Sequence, residues 1–248
     1  MTAEPAAFSE GTLLGGRVKL RQPVEGYRVA IDPVFLAASV PANRGERILD
    51  IGCGVGAAAL CLAARVPDCR VTGIERDREL VRLAVDNALL NGMSARFDAM
   101  IGDLQHPPPR LEPGFDHVMA NPPHLAAGTA TPPPDPARAA AHVESSADLA
   151  AWIRCALMLV RNKGTITFVH RADRLDALLA ELMGRAGEIV IFPLWPSDEK
   201  PAKRVLLRAR KGIAAPTRLA RGLVLHEADG RYTAAADAVL REGQGIEV

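Results

Sequence analysis

The tetrapeptide Asn121-Pro122-Pro123-His124 closes a largely apolar run, Phe115 to Ala120, and combines residue types suited to holding a planar amide or an exocyclic amine. An asparagine side-chain oxygen and the carbonyl ahead of a proline are both acceptors. Each proline ring locks φ and keeps the residue before it extended, so the two acceptors point in fixed directions. Facing one NH2 group, they would take its two hydrogens and orient its lone pair. An Asn-Pro-Pro run also suits a stiff strand-to-loop turn, so its meaning depends on the rest of the chain.

Upstream, Ile48-Leu49-Asp50-Ile51-Gly52-Cys53-Gly54-Val55-Gly56 reads as a short apolar strand entering closely spaced glycines, and Ala57 to Ala64 reads as a helix after them. Glycines let a backbone approach a ligand with no Cβ in the way, and the first turn of a helix presents free N–H groups. The loop suits a nucleotide-like cofactor. Read as Gly52-x-Gly54-x-x-Ala57, it fits the dinucleotide fingerprint too, so alone it does not separate a nicotinamide cofactor from S-adenosylmethionine. A second strand, Arg70 to Glu75, ends in an acid about 20 residues after the glycines, where a carboxylate can accept both ribose hydroxyls. A third, Phe97 to Ile101, leads to Asp103, whose carboxylate could accept an adenine amino group. Asn121 then follows a fourth strand.

Acid, acid and Asn-Pro-Pro after successive strands is the order of the amino-group methyltransferases. Residues 47 to 124 resemble the class I S-adenosylmethionine-dependent methyltransferases that carry an Asn-Pro-Pro-aromatic motif. The whole chain resembles the bacterial tRNA adenine-N6 methyltransferases that modify a valine tRNA beside its anticodon. That narrower likeness rests on Gly15 to Leu20, on Tyr27 to Leu36 and on Pro201 to Leu207. It implies S-adenosyl-L-methionine as cofactor, with Asp50, Gly52, Gly54 and Gly56 shaping the methionine side, Glu75 on the ribose and Asp103 on the adenine. It also implies a catalytic group of Asn121, Pro122, Pro123 and His124, with Asn121 counted among the cofactor-binding residues too. The family has Phe, Tyr or Trp where this chain has His124, and an imidazole can also stack on a base. Asp50 has an alternative role, pinning the glycine loop through backbone N–H groups. Asp32, close to the cofactor's amino-acid end in the resemblance, reads first as the cap of a helix that has Pro33 in its first turn.

With 248 residues, 48% of them hydrophobic, the chain can bury a full core, and the expected organisation is one domain over residues 1 to 248, an amino-terminal hairpin and helix to residue 45 and a catalytic fold from 46. A net charge of +1 is far from that of a protein held to nucleic acid by bulk charge, so RNA contact must come from local clusters. Lys200, Lys203, Arg204, Arg208, Arg210, Lys211, Arg218 and Arg221 form such a cluster without an acid between them, and Arg17, Lys19, Arg21 and Arg28 add a second. Lys203, Arg204 and Arg208 are the candidate RNA contacts; protection of a solvated strand edge is the alternative for the run. Cys53, Cys61, Cys69 and Cys155 form no C-x-x-C pair and no zinc spacing, which argues against a metal and for small apolar fillers in a reducing compartment. Neither a basic-then-apolar leader nor a membrane-length apolar stretch is present, so the expected location is the cytoplasm.

Spacing predicts a hairpin or loop over residues 9 to 30, then a helix from 32 to 40. Strands are expected at 47–51, 70–75, 97–101, 115–120, 165–170, 188–194 and 203–211. Helices are expected at 57–66, 77–91, 147–160 and 173–184, with a closing strand, turn and Ala-rich helix. Leu80, Leu83, Ala84 and Val85 give the 77–91 helix a sheet-facing stripe. Such a β-α-β-α series implies a doubly wound, Rossmann-like and mostly parallel sheet, here of seven strands, and the superfamily runs a late strand antiparallel. Residues 125–146 have no periodic apolar face and read as a mobile loop, either a lid over the substrate or a connector. Two other classes fit parts of the pattern: a protein-glutamine methyltransferase, since a carboxamide suits the same acceptors, and a non-catalytic RNA-binding module that keeps the cofactor fold. A nicotinamide oxidoreductase fits least, having no Tyr-x-x-x-Lys pair to work with. Oligomeric state is not legible.

Overall fold

Apolar runs of five or six residues alternate with amphipathic ones, and the chain folds accordingly as strands separated by crossover helices. The computed structural model describes residues 7–25, 28–123, 125–126, 143–144 and 149–248. A hairpin of β1 (Phe8–Leu13) and β2 (Val18–Pro23) precedes α1 (Asp32–Ser39). There follow β3 (Arg47–Ile51), α2 (Ala57–Arg65), β4 (Arg70–Glu75), α3 (Arg78–Leu90), β5 (Phe97–Ile101) and β6 (Phe115–Ala120). After two short strands, β7 (Leu125–Ala126) and β8 (Val143–Glu144), come α4 (Leu149–Leu159), β9 (Val160–Arg171), α5 (Leu175–Leu182), β10 (Ala186–Trp195) and β11 (Arg204–Lys211). The chain closes with β12 (Arg218–Leu219), β13 (Leu223–Val224) and α6 (Ala234–Glu242).

The main sheet has the order β12-β10-β11-β9-β6-β3-β4-β5, with β13 also on β10. Its seven long strands are the seven expected, and β11 is the antiparallel late strand, pairing antiparallel with both β9 and β10. The two-residue strands β12 and β13 extend the sheet to nine by pairing parallel with β10. Arg218, in the basic run, thus lies in a strand that pairs with the edge of β10. Helices lie on both faces because strand residues alternate. Ile48, Met119, Val169 and Leu206 meet α1, α2, α3 and α6 on one face, whereas Leu49, Val118, Ile166 and Leu207 meet α4 and α5 on the other.

Four differences from the sequence reading have local causes. Val85 faces solvent, 42% exposed, while Leu83 and Ala84 of the same stripe are buried; each residue turns a helix by about 100°, which carries position 85 past the buried face. β9 begins at Val160 rather than 165, because β6 passes from Val160 to Thr165 across an irregularity that contains Lys163 at φ +62°. Asp32 does not cap α1. Ile31 occupies the cap position without a side-chain bond, and Asp32 instead pairs with Arg204, Oδ2 to Nε at 2.9 Å. Within the segment read as a loop, Leu125–Ala126 pairs parallel with Val143–Glu144; the lid reading otherwise falls outside the described residues.

Candidate active site

Four neighbouring strands end side by side, because Ala120 pairs with Ile51, Ile51 with Ile74 and Glu75 with Ile101. Asn121, Gly52, Glu75 and Asp103 stand at or just past those ends. At about 4.8 Å per strand, the rim they form is about 14 Å long. The chain order also reverses here, with β4 and β5 on one side of β3 and β6 on the other. In open α/β sheets such a switch point leaves a crevice at the carboxyl ends, and ligands bind there.

The glycine loop is built for close approach. Gly52, Gly54 and Gly56 have φ of +67°, +53° and +85°, a conformation that costs a residue with a Cβ. A Cβ on Gly52 would lie 2.5 Å from Trp152 Cη2, and one on Gly56 would lie 2.7 Å from Phe97 Cε1. On Gly54 it would meet nothing within 4 Å. Two of the glycines thus let the loop press on its own protein, and Gly54 opens the backbone to a ligand. Trp152, on α4 and buried, was not legible as part of the site: an aromatic residue in an apolar helix carries no sign of what it covers.

Glu75 binds the loop to the next helix. Its Oε2 accepts from Gly54 N at 3.1 Å and its Oε1 from Asp77 N at 3.0 Å. Asp77 in turn caps α3, accepting from Glu79 N and Leu80 N. Each Glu75 oxygen retains a lone pair for a hydroxyl. Asp103 accepts from Gln105 N at 2.9 Å, and beside it a cavity of about 450 Å³ opens between Leu104, Gln105 and His106 on one wall and Arg154 and Met158 of α4 on the other.

Asp50 lies under the loop, 2% exposed. It accepts a bond from Ala59 N in the first turn of α2, while its Oδ2 has no partner. Burial, reinforced by the charge of Glu75, pushes its carboxyl up to about 8, so it holds its proton at neutral pH. Folding then takes up a proton between the ordinary value of 3.8 and about 8. The contribution to stability is full below that window, falls as pH rises through it and levels above it. Asn at position 50 has no proton to lose, so Asp50→Asn is expected to gain on the wild type as pH rises from about 5 to 8. Melting temperatures of the two proteins against pH check this, and a constant gap would contradict it.

Burial also raises the Cys53 thiol well above its ordinary range, and its Sγ fills the space that a Cβ on Gly73 would need. It is a filler, not a thiolate; all four cysteines are free and buried. His117 sits in the middle of the sheet, 2.7 Å from Thr165 Oγ1 and 2.9 Å from Glu46 Oε2, away from the rim.

Asn121 presents a buried Oδ1 that has no partner, and Pro122 behind it is buried. His124 lies outside the described residues. Of the proposed RNA contacts, Lys203 is exposed, Arg204 is drawn onto Asp32, and Arg208 is half-buried with its Nε unpartnered and its basicity lowered by burial. Arg210 and Lys211 are also engaged, on Glu188 and on Val160 O. Among the described residues no cluster of His, Cys, Asp or Glu suits a metal ion, and no helix is long and apolar enough to cross a membrane.

The geometry fits a nucleoside-bearing cofactor: an open backbone at Gly54, strand-end carboxylates at Glu75 and Asp103, and an unpartnered Asp50 Oδ2. Comparison with known proteins agrees. Residues 29–133, which contain these positions and Asn121, match the methyltransferase small domain family. A protein from Aeromonas hydrophila named tRNA1(Val) (adenine(37)-N6)-methyltransferase is 31% identical over 212 residues, 83% of this chain and 85% of that one. A relative of the same name from Yersinia pestis is 29% identical over 209 residues, 83% and 82% of the two chains. Among solved structures, an Agrobacterium tumefaciens protein described as a predicted O-methyltransferase superposes with a TM-score of 0.73 at 26% identity, covering 88% of this chain and 99% of that one. The chain belongs to the family of S-adenosylmethionine-dependent methyltransferases that contains the tRNA1(Val) (adenine(37)-N6)-methyltransferases.

Proposed function

We propose that the protein transfers a methyl group from S-adenosyl-L-methionine to the N6 amino group of an adenine in tRNA. The observation that carries this reading is Asn121 Oδ1, a buried acceptor without a partner, one strand away from the glycine loop. A buried acceptor left unmade costs about 1–3 kcal/mol, which an amine hydrogen from a substrate would relieve. The names of the relatives support the choice of adenine N6 and of tRNA.

When bound, S-adenosyl-L-methionine supplies an electrophilic methyl group. Glu75 and Asp103 hold the nucleoside end, and Asp50 and the glycine loop shape the other end. Asn121 Oδ1 and the Pro122 carbonyl accept the two hydrogens of the amine. The nitrogen is thereby turned so that its lone pair faces the methyl group, and orientation of this kind can supply about 7–11 kcal/mol. As positive charge develops on nitrogen, both acceptors would stabilise it; the methylated amine would then lose one of its two hydrogens to solvent as a proton, with S-adenosylhomocysteine as the second product. His124 stacks on the base. A hydroxyl has one hydrogen and would use one acceptor, so the paired arrangement favours an amine over the O-methyl chemistry ascribed to the Agrobacterium tumefaciens protein.

Lys203 and Arg208, with the remaining donors of Arg204, contact RNA phosphates. Lys203→Ala is expected to weaken tRNA binding and to reduce the slope of log affinity against log salt by about 1, with cofactor affinity unchanged. An unaltered slope would assign Lys203 to the solvated surface. A tRNA substrate places the work in the cytoplasm. Incubating the protein with methyl-labelled S-adenosylmethionine and separate pools of tRNA, DNA and protein tests the substrate class. Label in tRNA alone is expected; label in protein would favour glutamine as acceptor, and label in none would favour the non-catalytic module.

A further inference from the structure

The amino-terminal hairpin meets the glycine loop through one buried side chain. β2 pairs with β1 along one edge, and on its other edge two asparagines of the α3 segment act in place of a strand. Arg21 N donates to Asn87 Oδ1 at 2.7 Å, and Arg21 O accepts from Asn87 Nδ2 at 2.9 Å. Two residues earlier, Lys19 N donates to Asn91 Oδ1 at 2.8 Å and Lys19 O accepts from Asn91 Nδ2 at 2.7 Å. The spacing explains the fit. Residues four apart on a helix are about 6 Å apart along its axis, and alternate residues of a strand are about 6.6 Å apart.

On the hairpin side the two amides are equivalent. Elsewhere they differ. The second bond of Asn91 Nδ2 returns to Asn87 O in its own helix, at 2.7 Å. The second bond of Asn87 Nδ2 goes to Val55 O at 3.0 Å, and Asn87 is 0% exposed. Val55 lies between Gly54 and Gly56, both at positive φ, in the stretch where the loop opens to a ligand. The start of the loop is tied down by Gly52 N and Cys53 N, both donating to Ile74 O at 2.8 and 3.1 Å. The peptide after Val55 is held at both ends, its carbonyl by Asn87 Nδ2 and its N–H, that of Gly56, by Cys53 O at 2.9 Å.

We infer that Asn87 is a positioning residue for the cofactor loop, through which the hairpin sets cofactor affinity without touching the cofactor. The inference rests on reading residues 52–56 as the cofactor site. Asn87→Ser and Asn91→Ser form a matched pair: each loses two hairpin bonds, and only the first also loses the loop. Calorimetry with S-adenosylhomocysteine is expected to show affinity about tenfold weaker in Asn87→Ser, in line with loss of a buried hydrogen bond, and changed less than twofold in Asn91→Ser. Both should melt below the wild type, Asn87→Ser at the lower temperature because its amide is fully buried. Amide exchange at residues 54–57 should quicken in Asn87→Ser alone. Should Asn87→Ser not fold, Arg21→Pro and Arg21→Ala take its place: both lose the side chain that bonds Glu10 Oε1 at 2.9 Å and lies over the Phe8 ring, and only Arg21→Pro also loses the N–H that orients Asn87, so only it should weaken binding, by an intermediate factor. Wild-type affinity in folded Asn87→Ser, or equal weakening in Asn91→Ser, would overturn the inference. A wild-type protein that fails to bind S-adenosylhomocysteine would instead overturn the methyltransferase reading, and the exchange rates alone would then decide the role of Asn87.

Discussion

Asn121→Ala is expected to lower methyl transfer about 100-fold or more while leaving affinity for S-adenosylhomocysteine within about twofold. The side chain is held at the end of β6 by the ladder to β3 and by the buried Pro122 that follows, and its Oδ1 has no protein partner. An amine that attacks carbon becomes positive and its hydrogens become better donors, so a fixed acceptor matters more in the transition state than in the ground state. Alanine keeps the strand and the two prolines and removes the carboxamide, acceptor and NH2 group together. Single-turnover rates at saturating cofactor and RNA isolate the effect, and an unchanged rate would remove Asn121 from the chemistry.

Glu75→Ala is expected to weaken S-adenosylhomocysteine binding by about 1–3 kcal/mol, the cost of losing charge-assisted hydrogen bonds at a partly buried site. Two losses combine. The carboxylate is the proposed ribose ligand, and it also restrains the loop through Gly54 N and the start of α3 through Asp77 N. Calorimetry on the wild type and the variant measures the difference. NAD should not compete for the wild-type site; NAD binding in the absence of S-adenosylhomocysteine binding would contradict the cofactor assignment.

The sheet was legible because strand and helix periods alternate cleanly. β3, β4, β5 and β6 begin and end at the expected residues, and the helices differ by only a residue or two, where ends fray. The placement of the glycine loop, Glu75, Asp103 and Asn121 on one rim was also legible, since each follows an apolar run and parallel order brings such positions together. Pairings distant in sequence were not. Arg204 reads as one more cation in an acid-free run, yet a partner 172 residues away turns it inward. Asn87 and Trp152 read as ordinary helix positions, and only packing reveals that one reaches Val55 O and the other limits residue 52 to glycine.

The central claim is that an adenine amino group is the methyl acceptor, and the position of the methyl group on the product tests it most directly. tRNA lacking prior modification would be incubated with the protein and S-adenosylmethionine, digested to nucleosides and analysed by mass spectrometry against authentic standards. The expected product is N6-methyladenosine, formed by the wild type and reduced about 100-fold in Asn121→Ala. A methyl group on ribose oxygen, on a ring nitrogen or on another base, or no methylated nucleoside from the wild type, would contradict the assignment of Asn121 and Pro122 as the acceptors that hold an exocyclic amine.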